Sequence, residues 1–275
     1  MLAVVQLRAR PGAQHHRRSV HRDDHLTGPG RPPRPRAGHP PGPRPERPPH
    51  PLVVAHRGAW GEAPPNSLAA LEAAVALGAD AVELDVRVTR DGHLVVVHAA
   101  RVGGVGGLVS RLDRAQLHER VAPDQIPALA EMAEAAAGRI ALDVELKVDT
   151  AVGAVLAELA RRLEPSAYVV TSFLDAALAA VHDLAPEVRT GLLIGPGRRA
   201  RRLERRLELT AASFVAPHAS LARGGLLAWA AARELDSWVW TVNDRRALRV
   251  LAADPRVAAL ITDRPARALE ARDGD

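Results

Sequence analysis

The chain has 275 residues, 47% of them hydrophobic, and this length can bury one sizeable core. It contains no cysteine, which excludes disulfides, thiolate metal sites and cysteine nucleophiles. The formal charge of the whole chain is +5 and that of residues 1–50 is +7, so residues 51–275 carry −2 and show no basic excess of the kind that indicates nucleic-acid binding.

Residues 1–50 differ in composition from the rest of the chain. They hold eleven of the 22 prolines and six of the twelve histidines, and a stretch such as GPGRPPRPRAGHPPGPRPERPPHP cannot form a core. We therefore expect residues 1–50 to be a disordered tail that precedes one domain, residues 51–275. The apolar start of the chain is too short for a signal-peptide core, and no apolar run approaches the roughly 20 residues of a membrane helix. A cytoplasmic protein without stable membrane insertion is expected.

From Leu52 onward, short β-rich runs alternate with helical patterns rich in alanine and leucine. The predicted strands are 52–56, 81–86, 94–98, 140–146, 168–173, 190–194, 212–216, 237–242 and 258–262. The segment NSLAALEAAVALG is typical of a helix with Asn66 as its N-cap and Gly78 at its end. Further helices are predicted from PALAEMAEAAAG, TAVGAVLAELARRL and NDRRALRVLAAD.

One predicted strand does not fit a regular strand-helix repeat. Only seven residues separate Val86 from Leu94, whereas a parallel crossover needs about a dozen or more. The pair Asp91-Gly92 is a turn signal, so 94–98 is expected to fold back antiparallel against 81–86 as a hairpin. The remaining eight strands and their helices predict an α/β fold, the TIM (β/α)8 barrel. A doubly wound sheet is the alternative, but no Gly-x-Gly-x-x-Gly motif follows the first strand.

Carboxylates gather at the ends of the predicted strands, where a TIM barrel carries its active site. Glu83 and Asp85 alternate with apolar residues on one strand and therefore share a face. Together with Glu145 from a neighbouring strand they suit a hard divalent cation, Mg²⁺ or Ca²⁺. Zinc fits less well because its usual cysteine or multi-histidine set is missing, although His56 and His98 keep it open.

Histidines and cations accompany these carboxylates at the strand ends. His56 and His98 end the first strand and the hairpin, and an imidazole can act as general acid or general base. Arg57 and Lys147 supply positive charge suited to a phosphate. Lys147 is the only lysine in an otherwise arginine-based chain, which favours a site that needs a compact ammonium. A metal, an acid, a base and two cations together predict cleavage of a phosphate ester.

The motifs of residues 52–270 resemble the glycerophosphodiester phosphodiesterase family. In chain order they read VVAHRGAWGEAPPNSLAALEAA, VELDVRVTRDGHLVVVH, QIPALAE, LDVELK, VTSF, WTVN and ITDRP. The resemblance implies a TIM barrel with a small insertion after the second strand, which matches the hairpin and the glycine-rich segment RVGGVGGLVSRL. It also implies metal-dependent hydrolysis of small-molecule glycerophosphodiesters to glycerol 3-phosphate and an alcohol.

The resemblance further implies a role for each matching residue. His56 and His98 would be the acid/base pair, Glu83, Asp85 and Glu145 would hold the metal, Arg57 and Lys147 would contact the phosphate, and Trp240 would line the pocket. One histidine would deprotonate the nucleophile, either water or the glycerol 2-hydroxyl, and the other would protonate the leaving alkoxide.

Two positions depart from the family pattern. Pro65 stands in place of the glutamate of Pro-Glu-Asn-Thr, and Ala99 replaces the aspartate that usually follows the second histidine. Losing such supporting partners typically costs about 10–100-fold in activity, so reduced activity or a shifted substrate is expected rather than inactivity. Two alternatives stay open: a phosphodiesterase that acts on lysophospholipid head groups, and a catalytically weakened phosphate-binding barrel. No nucleic-acid partner is expected.

Overall fold

A computed structural model describes residues 50–61, 63–103, 107–197 and 202–274 of the chain. The predicted disordered tail lies outside the described residues except for His50, so its disorder stays a prediction. The longest helices have ten residues. No helix in these ranges is long and apolar enough to cross a membrane.

The strands are β1 (Leu52–His56), β2 (Ala81–Val88), β3 (Leu94–Val96), β4 (Ala141–Leu146), β5 (Tyr168–Ser172), β6 (Thr190–Ile194), β7 (Phe214–Pro217), β8 (Asp236–Val239) and β9 (Val257–Thr262). The α-helices are α1 (Leu68–Leu77), α2 (Arg114–His118), α3 (Leu129–Ala136), α4 (Val152–Ala160), α5 (Asp175–Leu184), α6 (Leu203–Thr210), α7 (Ala219–Ala222), α8 (Leu226–Ala231), α9 (Arg245–Ala252) and α10 (Pro265–Asp273). Most of the observed strands differ from the predicted ones by one to three residues at their ends.

Eight strands close into a parallel barrel in the order β1-β2-β4-β5-β6-β7-β8-β9, with β9 paired to β1. β3 lies outside this ring and pairs antiparallel with the end of β2, where Val86 lies opposite Val96. Gly92 has a φ of 85° in the connecting turn, a conformation that glycine adopts without steric cost. The predicted TIM barrel and its hairpin are therefore confirmed, and the doubly wound alternative is wrong.

The apolar core is divided between the outside and the inside of the barrel. Val82, Leu84 and Val86 of β2 point outward and pack with helical residues such as Leu71. A second apolar cluster consists of strand residues, among them Phe214 at the start of β7, which stacks on Trp238 at 4.6 Å. These rings fill the barrel interior. The alternate positions of β2 and β4 are left to polar side chains nearer the carboxyl end of the strands.

Helix α1 begins one residue later than the sequence predicts. Its N-cap is Ser67, whose Oγ accepts a hydrogen bond from Ala70 N at 3.1 Å. Asn66 instead has a φ of 63° and turns its side chain toward Asp85. The prediction of Asn66 as the N-cap is therefore wrong, because that amide serves the second strand. Gly78 ends the helix in the left-handed region, as predicted.

Candidate active site

The register of neighbouring strands brings four carboxylates together at the carboxyl end of the barrel. Asp85 on β2 lies opposite Glu145 on β4, and Glu83 lies opposite Asp143 on one side and His56 on the other. Ligand oxygens of Glu83, Asp85 and Glu145 lie within 4.8 Å of one another, and all three residues are buried. The structure thus groups the three residues that the sequence predicts as metal ligands.

Crowding and burial make this cluster electrostatically unfavourable. Burial raises the pKa of Glu83 well above its usual value, and the neighbouring charges of Asp85 and Glu145 raise it further. Burial likewise raises the pKa of Glu145 to about 7 and that of Asp143 to about 7, although Thr171 Oγ1 donates a hydrogen bond to Asp143 Oδ1 at 2.7 Å. The cluster therefore favours binding a proton or another cation.

Two cations lie against the central carboxylate, Asp85. Lys147 Nζ is 2.8 Å from Asp85 Oδ1 and 2.5 Å from Glu145 Oε1, and Arg57 Nε is 3.2 Å from Asp85 Oδ2. Asn66 Nδ2 also donates to Asp85 Oδ2, at 2.8 Å. Burial opposes ionisation of Asp85, but Lys147, Asn66 and Arg57 outweigh it and lower its pKa. Asp85 is therefore charged, and both predicted phosphate-binding cations lie at the cluster.

The carboxylate set fits a hard divalent cation. Glu83 Oε2 accepts a hydrogen bond from Arg57 N at 3.0 Å, whereas the buried Oε1 has no hydrogen-bond partner among the described residues. A buried carboxylate oxygen without a partner is costly unless a proton or a cation meets it. The cluster consists of carboxylate oxygens alone, which favours a cation such as Mg²⁺ or Ca²⁺ over zinc.

A tight turn after β1 explains the His-Arg-Gly sequence. Arg57 has a φ of 58° and Gly58 a φ of 82°. A Cβ on Gly58 would lie 2.7 Å from atoms of Ala70, so only glycine allows the turn to pack on α1. The turn directs Arg57 N at Glu83 and leaves the His56 ring beside the cluster, where Nε2 is 3.8 Å from Glu83 Oε2.

A chain of hydrogen bonds holds the opposite side of the His56 ring. His56 Nδ1 lies 2.6 Å from Asp263 Oδ1, and Asn243 Nδ2 donates to Asp263 Oδ2 at 2.6 Å. Asn243 Oδ1 in turn accepts from Asp263 N at 2.9 Å and from Thr262 Oγ1 at 3.2 Å. Burial opposes ionisation of Asp263, but its hydrogen bonds from His56 and Asn243 lower the pKa below its usual value. The charged carboxylate can only accept, so Nδ1 carries the hydrogen and Nε2 faces the cluster.

Asn243 and Asp263 had no predicted role. The available signal was their position in the motifs WTVN and ITDRP, which follow β8 and β9. Their spacing of twenty residues does not reveal the contact between them. It becomes visible only when the two strands pair in the barrel.

His98 follows the hairpin, because β3 ends two residues earlier, at Val96, than the predicted strand 94–98. The pKa of His98 is lowered to about 4, mainly because neighbouring atoms partly desolvate its ring, although the residue as a whole is exposed; the charges of Asp85, Lys147 and Arg57 also act on the ring. Arg87 fixes its backbone, since Nε and Nη2 donate to His98 O at 3.1 and 2.9 Å. The ring of His98 therefore lies near enough to the cluster for these charges to act on it, and its catalytic role stays a prediction.

Trp240 forms an aromatic wall at the same end of the barrel. Its Nε1 donates to Ala216 O at 2.6 Å. The rings of Phe173 and His218 meet it edge-on, at centroid distances of 5.5 and 5.0 Å. Contact of Trp240 with a substrate stays a prediction. Pro65, the other departure from the family pattern, is exposed to solvent.

Comparisons with known proteins agree with this geometry. The model of the glycerophosphoryl diester phosphodiesterase family matches residues 56–267. A glycerophosphodiester phosphodiesterase of Caldanaerobacter subterraneus is 32% identical over 176 residues, which cover 56% of this chain and 72% of that protein. A probable glycerophosphodiester phosphodiesterase 1 of Mycobacterium tuberculosis is 55% identical over 72 residues, covering 25% of this chain and 26% of that protein.

A solved structure is similar over most of its length. The phosphodiesterase of Oleispira antarctica, determined in complex with the product sn-glycerol-3-phosphate, has a TM-score of 0.70 and 26% sequence identity. The match covers 82% of this chain and 97% of that one.

Proposed function

Because this chain belongs to the glycerophosphoryl diester phosphodiesterase family, we propose that it hydrolyses glycerophosphodiesters to glycerol 3-phosphate and an alcohol. The observation that carries the proposal is the cluster of Glu83, Asp85 and Glu145 at the carboxyl end of the barrel. Lys147 and Arg57 lie against this cluster, and so does a histidine oriented by a carboxylate. A phosphate diester is the substrate class that uses all of these groups.

The three carboxylates, Glu83, Asp85 and Glu145, would hold a divalent cation, Mg²⁺ or Ca²⁺. When bound, this ion stabilises the negative charge of the phosphoryl oxygens. Lys147 and Arg57 bind the same phosphate group, since both side chains already lie at the mouth of the cluster. Their charges orient the diester so that its leaving alcohol lies within reach of a histidine.

The two histidines divide the proton transfers. His98 takes the proton of the nucleophile, which is water or the glycerol 2-hydroxyl, because a pKa of about 4 leaves its ring neutral near pH 7. Attack by the 2-hydroxyl gives a cyclic phosphate, which a water molecule then opens to glycerol 3-phosphate. The new bond forms at phosphorus as the bond to the alcohol oxygen breaks. His56, protonated on both ring nitrogens with its Nδ1–H on Asp263, then delivers the Nε2 proton to that oxygen, and the alcohol leaves.

Asp263 and Asn243 act through His56 as positioning residues. The 2.6 Å contact at Nδ1 selects the ring orientation in which Nε2 faces the cluster. Asn243 holds the second oxygen of Asp263 and thereby fixes the direction of its carboxylate. In this respect the pair resembles the carboxylate of other acid/base dyads, which orients the imidazole and does not itself exchange the proton.

The two departures from the family pattern are compatible with activity. Asn66, next to Pro65, keeps both of its hydrogen bonds to Asp85, at 2.8 and 3.1 Å. Arg87 holds the backbone carbonyl of His98, a contact that does not involve the side chain at position 99. These contacts favour an enzyme over the weakened phosphate-binding barrel. Cleavage of lysophospholipid head groups and a cytoplasmic location stay predictions.

One assay tests the proposal. Release of glycerol 3-phosphate from glycerophosphocholine is measured with Mg²⁺ and with Ca²⁺ for the wild type, for His56→Ala and for His182→Ala on the distant helix α5. The wild type and His182→Ala should turn over, and His56→Ala should be slower by about 10²–10⁴-fold. Absence of turnover on glycerophosphocholine and related head groups would refute the enzyme. Equal rates for wild type and His56→Ala would refute the role of His56.

A further inference from the structure

Six arginines form a cluster on one sector of the outer surface, here called the arginine patch. The patch consists of Arg223, Arg245, Arg246, Arg249, Arg264 and Arg267. All six are exposed, and within the described ranges none of their side chains forms an ion pair or a hydrogen bond with another residue. Cations that the protein does not neutralise itself are available to an external anion.

Five of the six side chains line two concavities on either side of α9, and Arg264 lies three residues before Arg267. Arg245 and Arg249 of α9 and Arg267 of α10 line one depression, of about 250 Å³. On the other side of α9, Arg223 and Arg246 line a groove of about 720 Å³. Helix α9 thus carries arginines into two adjacent concavities.

Acidic residues near the patch do not cancel its charge. Asp244 is engaged at the start of α9, where Oδ1 accepts a hydrogen bond from Ala247 N at 2.8 Å. Glu270 lines the smaller depression without an ion pair to its arginines. Residues 51–275 have a net charge of −2 but still carry a local positive surface. A net charge does not reveal such a surface.

The larger groove is apolar between its arginines. Its lining includes Ala222, Ala247, Val250 and Leu251. Val250 is 61% exposed and is one of four large hydrophobic residues left in contact with solvent among the described residues. A surface that combines unpaired arginines with an open apolar groove matches a ligand with both anionic and hydrocarbon parts.

The patch begins at the end of the barrel that carries the carboxylate cluster and extends along α9 and α10. Its arginines are carried by segments that follow the carboxyl ends of β7, β8 and β9. Asn243, which positions Asp263, also lines the apolar groove. A large anionic partner bound to the patch would therefore sit beside the rim of the active site.

We propose that the arginine patch docks the protein reversibly on an anionic phospholipid bilayer, with the groove at Val250 taking up apolar atoms of the lipids. Phosphate and carboxylate head groups supply the anions that guanidinium groups bind, and each arginine close to such a surface adds about fivefold to the partition. A nucleic acid would satisfy the arginines but leave the apolar groove without a partner. Docking does not depend on catalysis, so it can be tested apart from the proposed activity.

The test measures binding of the full chain to sedimenting vesicles of phosphatidylglycerol and phosphatidylcholine, and to vesicles of phosphatidylcholine alone. A triple variant with Arg245→Gln, Arg249→Gln and Arg267→Gln should bind the anionic vesicles about a hundredfold more weakly than the wild type. Val250→Glu should weaken binding by about fivefold or more. Binding of the wild type should weaken steeply with added salt and be absent on the neutral vesicles.

A matched variant controls for total charge and for the basic residues 1–50. Arg139→Gln, Arg161→Gln and Arg256→Gln remove the same number of charges from arginines that are paired with Glu72, Glu158 and Asp254. This control should bind anionic vesicles within about fivefold of the wild type, and circular dichroism should give all variants the same secondary structure.

Three results would overturn the proposal. In the first, both triple variants lose the same affinity, which would assign binding to net charge or to residues 1–50. In the second, the patch variant binds vesicles as tightly as the wild type. In the third, the patch variant loses affinity for a DNA oligonucleotide but not for vesicles, which would assign the patch to nucleic acid.

Discussion

At the amino end of the barrel, charged side chains lie in complementary pairs, whereas at the carboxyl end carboxylates of like charge crowd together. Arg272 Nη1 meets Asp80 Oδ2 at 2.8 Å, Arg189 Nη2 meets Asp236 Oδ2 at 3.0 Å, and Arg256 pairs with Asp254. At the other end, carboxylate oxygens of Glu83, Asp85 and Glu145 lie within 4.8 Å of one another.

The difference separates charges that stabilise the fold from charges reserved for ligands. A paired surface charge contributes modestly to stability and requires nothing from outside the molecule. A buried group of carboxylates is destabilising by itself and becomes favourable only when a cation binds. The amino end should therefore tolerate substitution with small losses of stability, while the carboxyl end should lose function when changed.

The largest effect is expected at the carboxylate cluster. Glu145→Gln should reduce kcat/KM for glycerophosphocholine by at least about a thousandfold, because it removes charge from the proposed cation site. The same change should leave the Tm of the metal-free protein equal or higher, since it also removes a buried carboxylate. Activity assays with Mg²⁺ or Ca²⁺ and thermal unfolding in a chelator measure the two effects.

Glu72→Gln is the matched control. Glu72 lies on helix α1, outside the cluster, where it is exposed and forms an ion pair with Arg139. It should retain wild-type kcat/KM. A Glu145→Gln protein that is as active as this control would contradict the role of the cluster.

The next effect concerns the residue that orients His56. Asp263→Asn should lower kcat by about 10–100-fold with little change in KM, and it should alter the pH profile of kcat. Two donors, His56 Nδ1 and Asn243 Nδ2, point at the two oxygens of Asp263. The side-chain NH2 group of an asparagine would face one of these donors, and the hydrogen bond at that position would be lost.

Asp244→Asn, at the N-cap of α9, provides the comparison, because it neutralises a nearby carboxylate that does not touch His56. If both variants lost activity equally, a general effect of charge would replace the positioning role.

A smaller effect is expected in the pH dependence of stability without metal. The pKa values of Asp143 and Glu145 are raised to about 7, so the folded chain holds protons that the unfolded chain releases from about pH 4 upward. His98, with its pKa lowered to about 4, acts in the opposite direction but involves one proton only. The metal-free free energy of unfolding should thus fall with pH between about 5 and 7, by about 1 kcal/mol or more per pH unit.

Urea unfolding in a chelator measures this slope. Mg²⁺ or Ca²⁺ should restore more stability near pH 7 than near pH 5, because the ion replaces the protons that are lost. Stability of the metal-free protein that rises with pH across this range would contradict the raised pKa values.

The smallest effect belongs to the amino end. Asp80 Oδ2 accepts hydrogen bonds from Val53 N at 2.7 Å and from Arg272 Nη1 at 2.8 Å. Asp80→Ala should lower the free energy of unfolding by about 1–2 kcal/mol without changing kcat/KM, since it removes a fold contact far from the cluster. Asp80→Asn, which keeps an oxygen for Val53, should lose less. A fall in activity without a loss of stability would contradict the assignment of the amino-end charges to the fold alone.

Much of the fold follows from periodicity and spacing in the sequence. The seven residues after Val86 are too few for a parallel crossover, and this fixed the hairpin and left eight strands for the barrel. Alternation along the predicted strand 81–86 puts Glu83 and Asp85 on one face of that strand. These properties are local, so one sequence suffices to find them.

Contacts between distant segments could not be derived in the same way. The role of Asn66 was misjudged because capping preference is a local rule, whereas its amide serves a strand 19 residues away. The contact between Asp263 and His56 joins residues 207 positions apart. The arginine patch could not be predicted from the sequence because a net charge carries no information about position.

The sequence by itself determined the order of strands and helices and the shared face of Glu83 and Asp85, because side-chain direction along a strand depends only on its period of two. The closed barrel decided the rest. Strand register set which carboxylates meet, closure of β9 onto β1 brought Asp263 to His56, and the packing of α9 on α10 gathered the arginines of two helices. Each of these depends on distances through space that no local pattern encodes.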